Sequence, residues 1–149
     1  MPTGSKKINV KVWNLQEDDP VRESDILSKA KLRLRRNGIE YNVTFDDDFS
    51  VGTLYIDILL TGDDDDYAGT LQLYFIRSNF YHFGDLIDFE TTFNDMIDMN
   101  KPNLMSVKVY SSPTTVFSGN RKHMIDSIDE YLNKFLDNFS ADYIDANNL

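Results

Sequence analysis

The sequence predicts an α+β two-layer sandwich: a mostly antiparallel sheet of four to five strands, with two helices packed on one face, in the order β-α-β-β-β-β-α. Three observations carry this. Segments at 8–15, 39–45 and 54–60 alternate apolar and polar residues, the period of a strand with one buried face. The stretch from Met124 to Tyr143 has the 3.6-residue period of an amphipathic helix. The strands in the middle of the chain are joined by polar turns, so they form hairpins and an antiparallel sheet.

Taken in order, Ile8-Asn-Val-Lys-Val-Trp-Asn-Leu15 is the first strand. Gln16 to Asp19 is a polar turn, and Asp19-Pro20 reads as an N-cap followed by proline in the first helical position. Ile26, Leu27, Ala30 and Leu34 make an apolar stripe, and Asn37-Gly38 is a helix stop, so the first helix is placed at about 20–37. Ile39 to Phe45 alternates and is expected to be a second strand, with a turn from Asp46 to Gly52. Leu54 to Leu60 and Thr70 to Phe83 form a hairpin across an acidic loop. Leu86, Phe89, Phe93, Met96 and Ile97 point to a short helix or an irregular cover over 85–102. A last strand runs from Met105 to Tyr110, with a second segment beyond Pro113.

The final helix follows Gly119-Asn120. Its stripe is Met124, Ile125, Ile128, Tyr131, Leu132, Phe135, Leu136, Phe139 and Tyr143. Asp126, Asp129, Glu130, Asn133, Lys134, Asp137 and Asp142 form the wet side. A stripe of that size needs a partner surface, which makes this helix the keystone of one core.

A chain of 149 residues fits a single domain, expected over 7–149, able to bury roughly 68–70% of its unfolded surface. Residues 1–6 read as a disordered leader or an engineered remnant. With 41% hydrophobic and 13% aromatic residues, wholesale disorder is excluded despite the charge. The net charge of −10 repels phosphate backbones, so nucleic acid is not an expected partner. The chain has no cysteine, which removes disulfides, thiolate catalysis and Cys-ligated metals. No run approaches the roughly 20 apolar residues of a transmembrane segment.

Several short motifs carry a likeness. Leu32-Arg-Leu-Arg-Arg-Asn-Gly-Ile39, Leu54-Tyr-Ile56, and the closing run Tyr131 to Phe139 with Tyr143 to Asn147 occur in that order. Together they resemble a loose group of small exported bacterial proteins of unknown function. Members of that group have an LRRxGI-like turn, an LYV-like strand, a hairpin and a C-terminal amphipathic helix. Phe117 stands where many members have Trp. The resemblance implies a periplasmic or secreted protein and supplies no catalytic residue. Met1–Lys7 holds no apolar signal region, which leaves a cytoplasmic setting as the alternative.

Candidate sites are few. Asp63, Asp64, Asp65 and Asp66 are the only candidate metal ligands, with Ca²⁺ the ion whose chemistry suits them. Tyr67 and Ala68 break the EF-hand spacing, so a solvated turn is the preferred reading and no cofactor is expected. Asp46-Asp47-Asp48 would strengthen the site only if the two loops met. Lys29, Arg33 and Arg36 share a face of the first helix; they read as macrodipole complements lying over Asp25 or the acidic loops. His82 and His123 belong to no nucleophile motif. Leu73 to Phe83 reads as a central strand, or else as a groove under a lid of Phe89, Phe93, Met96 and Met99. The expectation is a non-enzymatic binding or accessory domain whose partner is a protein or a small apolar ligand. The alternative is a carboxylate- or metal-dependent hydrolase built on the Asp-rich loops.

Overall fold

A computed structural model describes residues 7–48, 51–63, 65–82 and 102–147, with side chains described outside 78–82 and 102–109. The elements are β1 (Asn9–Trp13), α1 (Glu23–Arg36), β2 (Thr53–Asp63), β3 (Asp66–His82), β4 (Pro102–Ser111), β5 (Thr115–Gly119) and α2 (Arg121–Ala146). The fold is α+β, in the order β-α-β-β-β-β-α, with both helices packed on one side of a five-stranded sheet.

The seventeen-residue β3 is the axis of the sheet. Along one edge it pairs antiparallel with β2, from Thr53↔Ile76 to Asp63↔Asp66. The other edge is shared: β5 lies opposite Tyr67–Leu71, and β4 lies opposite Tyr74–His82, both antiparallel. Between them Pro113 has no N–H to donate, so the strand breaks there. Ser112 holds the two pieces to β3. Its N–H donates to the Leu73 carbonyl at 2.8 Å, and its Oγ accepts from the Leu73 N–H at 2.9 Å. On the far side, β1 runs parallel to β2, because α1 is the crossover between them.

One face of this sheet is apolar. Val10 and Val12 from β1, Leu54, Ile56, Ile58 and Leu60 from β2, Leu71, Leu73 and Phe75 from β3, and Phe117 from β5 are all buried. They meet Ile26, Ala30 and Leu34 of α1 and Met124, Ile128, Leu132, Phe135, Leu136 and Phe139 of α2. Phe139 sits among rings at 5.5 Å from Phe75, 5.3 Å from Tyr110 and 5.6 Å from Tyr143. Each such side chain contributes roughly 1.5–3 kcal/mol by leaving water.

Three local expectations are corrected. Residues 39–45 do not form a strand; they contribute one parallel bridge, Ile8↔Tyr41. The chain leaves the edge there because Asn9, 1% exposed, takes it over. Its Nδ2 donates to the Asp46 carbonyl at 2.8 Å, and its Oδ1 accepts from the Asp46 N–H at 2.9 Å and from Asn42 Nδ2 at 3.1 Å. One buried side chain thus satisfies the loop that a ladder would otherwise have served.

The first helix begins at Glu23 instead of 20, with Arg22 at its cap making no side-chain cap bond. Asp19 closes the preceding turn, accepting from Gln16 N–H at 2.7 Å, and is therefore unavailable as a cap. The hairpin is also longer than its acidic composition implied, since Asp63 and Asp66 still pair across it. Gly62 permits this: at φ 136° a Cβ would collide with the Asp66 carbonyl. The helix or cover expected over 85–102 lies outside the described residues, except for Pro102, which opens β4.

Replacing Phe139 with Ala is expected to cost about 3–5 kcal/mol, because the ring cluster around it cannot collapse into the space. A thermal melt checks this; a shift of only a degree or two would mean that α2 presents another face to the sheet.

Candidate functional site: the open face of the sheet

The basic side chains of α1 are the first place where charge could signal a site, and four of the five are engaged within the molecule. Arg33 makes a two-pronged contact with Asp137 of α2, Nε to Oδ1 at 2.8 Å and Nη2 to Oδ2 at 2.6 Å. Asn37 Nδ2 joins the same carboxylate at 2.9 Å. Lys29 Nζ lies 2.7 Å from Asp129 Oδ1. Arg35 donates to the Tyr41 hydroxyl at 3.0 Å, and Lys31 Nζ sits over the Tyr41 ring at 5.4 Å. The carboxylates that answer this helix therefore come from α2, not from Asp25 or the acidic loops. A run read as a macrodipole complement is a brace between two helices. Arg36 is exposed beside it.

The acidic loops do not converge. Asp46–Asp48 precedes the start of β2, and Asp63–Asp66 forms the turn at its far end. The strand from Thr53 to Asp63 separates them, a span of roughly 33 Å. At the first loop Asp46 Oδ1 accepts the Asp48 N–H at 2.9 Å, an ordinary local turn bond. At the hairpin tip Asp63, Asp65 and Asp66 are exposed, and Asp64 lies outside the described residues. Among the described residues no group of three His, Asp or Glu side chains is placed to hold a metal ion.

The tip has a different neighbour. Asp65 lines a shallow depression with Asn120, Arg121, Lys122 and Ile125 at the start of α2. That first turn contains no acidic residue and places Arg121, Lys122 and His123 at the positive end of the helix dipole. The Asn120 side chain caps the helix, accepting from His123 N–H at 2.8 Å. An acidic tip beside a doubly positive helix end is a long-range electrostatic complement. His123 is exposed, and the side chain of His82 lies outside the described residues, as does the lid expected from Phe89, Phe93, Met96 and Met99.

What remains is the sheet face away from the helices. Cross-strand register lines up Lys11, Tyr55, Tyr74 and Ser111 in one row, Trp13, Asp57 and Gln72 in the next, and Leu59, Thr70 and Val116 in a third. Tyr55 and Tyr74 stack at 5.2 Å, and Trp13 meets Tyr55 edge-on at 5.9 Å. Burial, with Asp57 and Tyr55 beside it, raises the Tyr74 phenol above its usual value. Lys11 Nζ lies 5.1 Å from the Trp13 ring and 5.9 Å from that of Phe45. Asn14 turns the chain at φ 71° just past Trp13 and donates to Asp57 at 2.7 Å.

Of six exposed large apolar side chains among the described residues, Trp13, Leu59 and Val116 stand on this face and Phe45 at its margin. Alternation in the sequence showed that Tyr55 and Leu59 sit opposite the core. It did not show the aromatic row, because which residues become neighbours depends on register across three strands. No protein-family model matches the chain, and no curated protein matches it. Among the described residues, no helix is long and apolar enough to cross a membrane.

Two outcomes follow. Hydrogen bonds from Arg33 hold the Asp137 carboxyl below the usual carboxylate range. A depressed folded-state value adds stability above the unfolded value near 3.9, and that stability is lost as pH falls through the folded value. Melting curves of the Asp137→Asn variant should accordingly fall less steeply than wild type as the pH drops below about 4; parallel curves would contradict the brace. Millimolar Ca²⁺ should leave the melting temperature unchanged, whereas a hundredfold excess over Kd at a real site adds about 2.7 kcal/mol. A saturable rise abolished by Asp63→Asn with Asp66→Asn would establish a metal site at the tip.

Proposed function

We propose that this protein is a non-enzymatic binding domain that works through the open face of its sheet. The observation behind this reading is the exposed apolar group there, in a molecule whose helices already cover the other face. Exposed apolar patches on a folded, highly charged domain mark contact surfaces more often than they mark accidents of composition. Gln72, Asp57 and Asn14 between the rings supply polar anchors, the mixture that distinguishes a binding surface from a stretch of core. The partner in this reading is a protein surface or a small apolar ligand. The setting is the periplasm or the cell exterior, a point supported only by the resemblance of the 32–39 turn and the closing helix to exported bacterial proteins.

Catalysis is not part of the proposal. The rival reading, a carboxylate- or metal-dependent hydrolase on the Asp-rich loops, would be favoured by convergence of the two loops, and they stand at opposite ends of β2.

The test uses a photo-crosslinking residue placed at Leu59, with the same residue at Arg36 on α1 as the reference position. Expressed in the native bacterium, the Leu59 position should yield one dominant adduct that the Arg36 position does not. Adding Trp13→Ala should weaken that adduct while leaving the melt nearly unchanged, since Trp13 is 44% exposed. Equal labelling from both positions, or none from Leu59, contradicts the proposal.

A further inference from the structure

The open face ends at an edge unlike the rest of the molecule. β5 pairs with β3 on one side, and among the described residues no strand pairs with its other side. Among the described residues its outward N–H and C=O groups therefore have no ladder partner. Within Thr115–Gly119 there is no lysine and no proline, the two residues that most often protect such an edge. Thr114, Thr115 and Val116 are β-branched, and Val116 is 75% exposed.

The opposite edge is managed differently. There the chain's own residues 40–42 bond to Ile8, with Ile8 N–H donating to Glu40 O at 3.2 Å and Asn42 N–H to Ile8 O at 2.8 Å. Lys11 follows on the same strand, and Asn14 turns the chain away.

Charge selects the occupant. Val109 to Asn120 is the longest run in the chain without a charged residue, in a molecule whose net charge is −10. Two copies of so acidic a protein repel over most of their surfaces, with a screening length of about 8 Å at physiological salt. Along this run they can approach without bringing like charges together. A foreign cationic strand, by contrast, would find no carboxylate in β5 to recognise.

We propose that β5 is a self-association edge, pairing antiparallel with the β5 of a second copy across a two-fold axis. A register centred on Val116 brings the two copies of that side chain together on the open face. Leu59, 50% exposed and joined to Val116 through Thr70 in the same row, then flanks the contact. The result is one sheet continuous through two molecules. A five-residue ladder is a small interface, so the dimer is weak, with a Kd on the order of 10 µM.

Sedimentation analysis from about 1 to about 100 µM tests this. Wild type should pass from monomer to dimer across that range. Val116→Lys sets two like charges opposite each other in the ladder and should weaken the dimer about tenfold or more. Thr114→Lys with Ser118→Lys, two exposed positions that this register sets opposite each other across the axis, repeats the test independently should the first variant misfold. Leu32→Lys, which adds the same charge at an exposed position on α1, should dimerise as wild type does. A wild type that stays monomeric throughout, or folded β5 variants that dimerise undiminished, would overturn the proposal.

Discussion

Everything in this structure depends on the apolar stripe of α2 finding β3 and β5. The six buried apolar side chains from Met124 to Phe139 cannot remain in water, and the surface that takes them is the sheet they cover. Their burial decides which face of the sheet becomes core. It also fixes the register, because a slip of one residue in β3 would turn Leu71, Leu73 and Phe75 to solvent. Helix α1 then fills the rest of the same face. Its position along α2 is set by polar contacts: Arg33 and Asn37 converge on Asp137, and Lys29 reaches Asp129. Apolar burial supplies the energy, and the carboxylates of α2 supply the alignment.

This division explains where the sequence was legible. The stripe of α2, the Asn37-Gly38 stop and the alternation in 54–60 are properties of single segments, and each was readable from spacing alone. The strand expected at 39–45 alternates as well as any other. It lost its place to Asn9, a buried side chain whose role cannot be seen without knowing which loop it faces. Asp19 failed as a helix cap for a similar reason, since its carboxylate closes the turn at Gln16 and the helix starts only at Glu23. The hairpin ran further than its Asp content implied because Gly62 permits a backbone that side-chain propensity opposes.

The charge pattern was legible only in part. Basic residues on α1 and acidic residues on α2 are each visible, yet nothing local says that they face one another. The acidic hairpin read as a solvated turn; its proximity to Arg121 and Lys122 at the start of α2 emerges from the pairing of Tyr67 with Gly119. The open face was the least legible feature of all. Tyr55, Tyr74 and Trp13 lie far apart in sequence and come together only through a parallel and an antiparallel pairing. A surface made of register leaves no motif.

Trp13 is the only tryptophan in the chain and stands on that face, so its fluorescence reports the central claim without any label. If burial by α2 leaves the opposite face open, Trp13 emission in the folded protein should be red-shifted. Neutral acrylamide should quench it nearly as well as in the unfolded chain. A blue-shifted emission protected from acrylamide would show that the face is covered, and would contradict the account at its base.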